Sequence, residues 1–283
     1  MRFAALAGRA VVVVGDRALD VHRHSAGRFG PDPQALFEEW DAVVEWAAGA
    51  RSAVDPADLD PLDPERLGAP VPRPRQVFAI GVNYTEHAAE AGYPSDSVPV
   101  TFTKFPSCIV GPDHVVELPS ESVDWEIELV VAIARTAHRV SAADAWSHVA
   151  GVTIGQDLSE RVIQMVGTKP QFSLGKSFPG FGPTGPWLVT PDELPDRDDL
   201  ELRCELDGER VQTGRTSQMI YTVPQLIERL SAVVPLLPGD LIFTGTPSGI
   251  GNARTPKRFL QPEERLTSAI DGIGVLETRF RRA

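Results

Sequence analysis

The segment Asp124-Trp125-Glu126-Ile127-Glu128-Leu129 sets three carboxylates at alternate positions. In a strand, alternate side chains share a face, with neighbours on that face about 7 Å apart along the chain. Two such carboxylates can converge on one cation, although an acidic alternation by itself also suits a solvated strand face. The run Leu129–Ala134 that follows is apolar at every position, the pattern of a strand covered on both sides. Carboxylates at the mouth of a buried strand need a counter-charge. A third oxygen ligand is offered by Asp157, at the end of the β-rich Val152-Thr153-Ile154-Gly155-Gln156, where it equally suits a helix N-cap. Three carboxylates without nearby His or Cys favour a hard cation over Zn²⁺: Mg²⁺ or Mn²⁺, with Ca²⁺ a further option. Glu126, Glu128 and Asp157 are therefore the candidate metal ligands.

Arg161 and Gln164 follow Asp157 at +4 and +7, so a helix starting there would place all three on one face. Lys176 lies in Ser173-Leu174-Gly175-Lys176-Ser177-Phe178, where a partly buried ammonium would be costly without an anion. A guanidinium, an amide and an ammonium around a metal are what a developing oxyanion requires. A candidate general base is offered by His87 and Glu90, at i and i+3 in Asn83-Tyr84-Thr85-Glu86-His87-Ala88-Ala89-Glu90. The carboxylate would orient the imidazole so that the pair deprotonates a water. The other five histidines, His22, His24, His114, His138 and His148, have no comparable neighbours. Gly245-Thr246-Pro247-Ser248-Gly249-Ile250-Gly251 lacks the endings of a phosphate loop and of a dinucleotide fingerprint. Its glycines permit close backbone approach, so Thr246, or backbone N–H groups such as that of Gly245, are candidates to hold a substrate carboxylate or carbonyl. Neither G-x-S-x-G nor H-E-x-x-H occurs, which removes support for serine-esterase and zincin chemistry.

The elements that must position these residues are legible in outline. Residues 1–22 carry β-branched runs cut by Gly8-Arg9 and Gly15-Asp16, the punctuation of a small meander. Leu36, Trp40, Val44 and Ala47 predict an amphipathic helix over Pro33–Ala48. Six prolines between Asp55 and Arg75 predict an extended linker, so we divide the chain into a small N-terminal unit with its linker, residues 1–72, and a catalytic domain, residues 73–283. The second unit shows many short strands between Gly/Pro turns, with helical stretches at Thr85–Ala91, Ala142–Val149, Ser159–Met165 and Val223–Val233. The fold class expected is a β-dominated α+β. With 27 Lys+Arg against 39 Asp+Glu, the formal charge of −12 opposes binding to nucleic acid or to anionic lipid. No apolar run approaches the roughly 20 residues of a membrane span. Cys108 and Cys204 are far apart and outside any CxxC, as expected of reduced thiols in a cytoplasmic protein.

Taken in order, these pieces resemble the fumarylacetoacetate hydrolase family: Ile80-Gly81-Val82-Asn83-Tyr84 with His87 and Glu90, then Val123–Leu129, Asp157, Gly175-Lys176-Ser177-Phe178 and Asp240–Gly251. Leu206-Asp207-Gly208-Glu209 and Thr216–Ile220 are similar to its C-terminal core, and the match spans about residues 76–280. The resemblance implies a mixed β-sandwich roll, a homodimer, and a divalent metal held by Glu126, Glu128 and Asp157. It also implies that His87 and Glu90 activate water for retro-Claisen cleavage of a 1,3-diketone, an acylpyruvate-type 2,4-dioxo acid, through a metal-stabilised enolate. Arg161, Gln164 and Lys176 match positions that stabilise the oxyanion and the leaving enolate. The family's decarboxylases, hydratases and isomerases of 2-oxo acids use the same frame, and a silent scaffold is a third reading. The chain departs from the family where Leu158-Ser159-Glu160-Arg161 replaces a common Ser-Ala-Arg-Asp run, and in the loop Val166–Pro170.

Overall fold

The apolar run after Glu128 lies in the strand Ile127–Ile133, buried at every position, and beside it lies Val149–Gln156, equally buried. Both are central strands of one large sheet, which explains why neither alternates polar with apolar residues. Of the 283 residues, the structure, a computed structural model, describes residues 1–94 and 98–283. Across the large sheet the strands run Asp60–Pro61, Arg17–Asp20, Arg9–Val14, Arg2–Leu6, Gly182–Val189, Val149–Gln156, Ile127–Ile133, Leu241–Phe243, Val77–Gly81 and Val100–Thr103. A second sheet of five strands is ordered Glu209–Arg215, Glu201–Leu206, Arg265–Ile270, Gly274–Arg282 and Val115–Leu118. Here Glu201–Leu206 and Arg265–Ile270 alternate buried with partly or fully exposed residues, as strands with one wet face must. Their buried faces pack on the large sheet, and Gln156 reaches across the interface to donate to Ser268 Oγ at 2.8 Å. The mixed-sheet α+β class expected from the sequence is the one observed.

The N-terminal meander is continuous with the large sheet. Arg2 and Phe3 pair with Val189 and Leu188, and Phe3 packs on Trp40 with ring centroids 4.7 Å apart. Residues from both sides of position 72 belong to one contiguous core. The proline-rich stretch folds onto the sheet in short pieces: Asp60–Pro61 pairs with Arg17–Asp20, and Leu67–Gly68 pairs with Ala5 and Leu6.

Three helices differ from expectation. The first runs Trp40–Ala53 and is preceded by a 3₁₀ turn, Ala35–Glu39, whose Phe37 stacks on Trp40 at 5.0 Å. Ala142–Val149 yields only the 3₁₀ turn Ala145–His148. Most consequential for the site, Ser159–Met165 is not one helix. Ser159–Glu160 forms a two-residue ladder with Val123–Asp124, and the helix is confined to Arg161–Gln164. Its N-cap is Glu160, whose carboxylate accepts from Ile163 N at 2.6 Å, so Asp157 neither caps nor starts a helix. Strand pairing across the chain overrides the local helical period here.

Candidate functional site

The antiparallel register places the carboxylates. Ile127 faces Gln156 and Glu128 faces Gly155, so the residue after Gln156 falls opposite Glu126, and Asp157 N donates to Glu126 O at 2.9 Å. One ligand oxygen from each of Glu126, Glu128 and Asp157 can be chosen so that all lie within 4.8 Å of one another, with all three residues buried. On the same frame the Val123–Asp124/Ser159–Glu160 ladder sets Arg161 over the first strand. Its Nε donates to Asp124 Oδ1 at 2.5 Å, its Nη2 to Glu126 Oε1 at 2.7 Å and its Nη1 to Gln164 Oε1 at 2.9 Å. Asp124, the third acid of the alternation, is thus the arginine's counter-ion. Lys176 Nζ bridges Glu126 Oε2 at 2.7 Å and Asp157 Oδ2 at 2.6 Å.

A second buried ammonium completes the cluster. Lys104, with no exposed surface, donates to Asp157 Oδ1 at 2.6 Å and to the carbonyls of Phe181, at 3.1 Å, and Lys176. It lies in Thr103-Lys104-Phe105-Pro106 and was not singled out from the sequence, because its partner is 53 residues away. The only local signal is a lysine directly after a strand and before an aromatic residue.

The four acids and three bases of this cluster are unequally compensated. Burial would push Glu126 up, but Lys176, Arg161 and His87 together bring it down to about 2. Burial likewise opposes charge on Lys176, yet Asp157 and Glu126 hold its proton and raise it. Glu128 goes the other way: burial, then the carboxylates of Asp157 and Glu126, push it well above the usual carboxylate range. Among the described residues no basic side chain forms an ion pair with it, and one of its oxygens accepts from Gly245 N at 2.8 Å. A hard divalent cation among the three carboxylates would supply the missing charge, so the donor set fits the expected metal.

Two consequences are testable. Because a proton on the raised Glu128 carboxyl competes with metal, apparent Mg²⁺ or Mn²⁺ affinity should go on rising with pH above the ordinary carboxylate range, by up to about tenfold per unit for one displaced proton. Calorimetry in buffers of different ionisation enthalpy reads that proton directly. The stability sign agrees: a carboxyl raised on folding stabilises fully below its unfolded value and loses that contribution as pH rises through its folded value. Separately, Gly245 has φ +100°, and a Cβ there would lie 2.7 Å from Asn83 Cβ and 3.0 Å from Ile80 O. Gly245→Ala should cost about 1–3 kcal/mol in urea unfolding.

His87 and Glu90 lie on the short helix Thr85–Glu90, and His87 Nδ1 is 3.1 Å from Glu90 Oε2. A carboxylate at Nδ1 accepts that N–H and leaves the basic lone pair on Nε2. The other oxygen, Glu90 Oε1, accepts from Gly249 N at 2.9 Å. His87, Glu90, Glu126, Arg161, Gln164 and Lys176 line one cavity of about 270 Å³, with Tyr93, Met165, Phe172 and Ile250 among its other lining residues. Thr246 is placed differently. Its hydroxyl donates to Ile127 O at 2.8 Å and accepts from Gln212 Nε2 at 2.8 Å, which ties the glycine loop to the carboxylate strand. The backbone N–H of Gly245 is likewise spent on Glu128. Both substrate-binding candidates therefore brace the site in this structure. Gln212, buried in the second sheet and absent from the sequence-derived set, pins Thr246.

A buried carboxylate triad, a basic cluster set against it and a His–Glu pair on one cavity wall define an enzyme centre of the metal-assisted type. Residues 76–281 match the model of the fumarylacetoacetate hydrolase C-terminal domain, and the chain belongs to that family. The human mitochondrial oxaloacetate tautomerase FAHD2A is 43% identical over 243 residues, covering 85% of this chain and 77% of that protein. Among solved structures, a Mycobacterium smegmatis protein provisionally assigned as HpcE is 53% identical with a TM-score of 0.93 and full coverage of both chains. A maleylpyruvate hydrolase from Sphingobium sp. SYK-6, solved with manganese(II) and pyruvate, is 27% identical with a TM-score of 0.82, again over both whole chains. No helix among the described residues is long and apolar enough to cross a membrane.

Proposed function

We propose that the chain is a divalent-metal-dependent hydrolase of C–C bonds in acylpyruvate-type 2,4-dioxo acids. The observation that carries this reading is the His87–Glu90 pair, 3.1 Å apart, on the wall of the cavity that also contains Glu126, Arg161 and Lys176. Glu126, Glu128 and Asp157 would hold Mg²⁺ or Mn²⁺, which when bound polarises the oxygens of the 2-oxo acid. His87 takes a proton from water through Nε2 while Glu90 stabilises the imidazolium at Nδ1. The water oxygen bonds to the acyl carbonyl carbon, and the C3–C4 bond then breaks with its electron pair passing to the pyruvate enolate. Lys176 and Arg161 place fixed positive charge beside the oxygens on which negative charge develops. Return of the proton to C3 gives pyruvate and a carboxylic acid, so atoms and charge balance.

A second reading has its own support in the 43% identity to an oxaloacetate tautomerase. There His87 would carry a proton between carbon and oxygen of a 2-oxo acid, with no water consumed and no bond between carbons broken. An end-point mass assay with Mg²⁺ or Mn²⁺ on acetylpyruvate, fumarylpyruvate and oxaloacetate separates the two. Hydrolysis yields pyruvate plus an acid of the acyl group. Faster loss of enol absorbance from oxaloacetate at constant mass, with both acylpyruvates intact, would replace the first reading with the second.

A further inference from the structure

We propose that Trp125 is a positioning residue for the base pair, acting through the backbone of Gly249. The inference rests on His87 and Glu90 being the base and its orienter. Trp125 lies between Asp124 and Glu126, in the two-residue break between the strands Val123–Asp124 and Ile127–Ile133, and has no exposed surface. Its Nε1 donates to Gly249 O at 3.2 Å. The same residue's N–H donates to Glu90 Oε1 at 2.9 Å, and Glu90 Oε2 lies 3.1 Å from His87 Nδ1. Hydrogen bonds on either side of the Gly249 backbone thus link the segment bearing Trp125 and Glu126 to the imidazole.

The link is built of parts with little freedom. Gly249 has φ +104°, and a Cβ there would collide with the carbonyl of Val211, so the backbone is held where only glycine fits. Four residues earlier in the same loop, Gly245 N donates to Glu128 Oε2. Between them Gln212 Nε2 donates to Thr246 Oγ1 and to Pro247 O, each at 2.8 Å, while its Oε1 accepts from Ile127 N at 3.0 Å. A single loop therefore holds a candidate metal ligand at one end and the carboxylate that orients the base at the other, and both ends are fastened to the strand Ile127–Ile133 or to the residues just before it. A glutamate held only by its own helix would sample several rotamers. Held by the Ser248–Gly249 peptide N–H, it presents Oε2 to His87, and the indole N–H fixes the next peptide, Gly249–Ile250, which shares the Gly249 Cα with it.

Trp125→Phe keeps an aromatic ring in the core and removes only the donor end of the side chain. The expected result is a fall in kcat of about tenfold, with KM and Mn²⁺ affinity changed less than about twofold. In a Glu90→Ala background the same substitution should cost nothing further, a non-additivity that general loosening of the core would not produce. Equal losses in both backgrounds, or unchanged kcat in the single variant, would overturn the proposal. A measurement on protein with Trp125 intact guards against misfolding of the variant: in ¹⁵N-labelled protein the Gly249 amide should exchange slowly, and about tenfold faster in Glu90→Ala. Exchange equally fast in both proteins counts against the link. If no acylpyruvate or oxaloacetate is turned over by the wild type, the reaction reading fails by itself. The link is then judged by whether Trp125→Phe accelerates Gly249 exchange, and no acceleration refutes it.

Discussion

Glu128→Gln should lose more than about a hundredfold in Mg²⁺ or Mn²⁺ affinity while leaving the metal-free protein as stable as the wild type or more so. Outer-sphere changes around metals cost about 10–100-fold, and a direct ligand should cost more. The stability half follows from charge. Glu128 is buried beside Glu126 and Asp157 with no ion-pair partner among the described residues, so its carboxyl is pushed well above the ordinary range. Glutamine retains an oxygen for Gly245 N and removes the repulsion. Unfolding of chelator-treated protein and metal titration by calorimetry read the two halves. Wild-type metal affinity would refute the ligand assignment, and a loss of several kcal/mol in the metal-free state would refute the charge argument. Asp157→Asn should behave differently, because Lys104 and Lys176 both depend on that carboxylate, at 2.6 Å each. Leaving buried ammonium groups undercompensated costs about 3–5 kcal/mol, so this variant should lose both metal and stability.

The second large effect is on turnover. His87→Ala should lower kcat by about 10²–10⁴ with metal affinity retained, the range for removal of a positioned general base. Glu90→Gln should cost less, since an amide oxygen can still accept from one of the two N–H groups that now face the carboxylate, though it cannot stabilise an imidazolium as well. Single-turnover measurements with excess enzyme separate the chemical step from product release. Full turnover in metal-loaded His87→Ala would leave the cavity with its cation site but without the proposed base, and would move the search to Lys176.

These expectations depend on features that differ in how far the sequence discloses them. The i, i+3 spacing of His87 and Glu90 is set within one helix by the helical turn, and the alternation of Glu126 and Glu128 along one extended segment, although the strand itself begins only at Ile127. Backbone geometry fixes which side chains share a face before any tertiary contact forms. The burial of Leu129–Ala134 was legible for the same kind of reason, since an unbroken apolar run has no face to give to water. The order of the motifs along residues 76–280 further carried the family resemblance, which the match over residues 76–281 shows to be membership.

What could not be read is whatever depends on which strands become neighbours. The local period suggested a helix from Ser159, but the ladder between Val123–Asp124 and Ser159–Glu160 displaced it and in doing so delivered Arg161 to Asp124. Nothing local marks Lys104 as buried, because the energy that permits its burial comes from Asp157 and two distant carbonyls. Gln212, Gly249 and Trp125 likewise gain their roles only when the second sheet is laid on the first. The N-terminal meander shows the same limit, since prolines mark where regular structure stops but not that Arg2–Leu6 will pair with Gly182–Val189. By itself the sequence determined the chemical inventory and the direction of each side chain within its element. The tertiary structure alone decided which buried charge compensates which, because that balance is set by distances across strands that no local periodicity encodes.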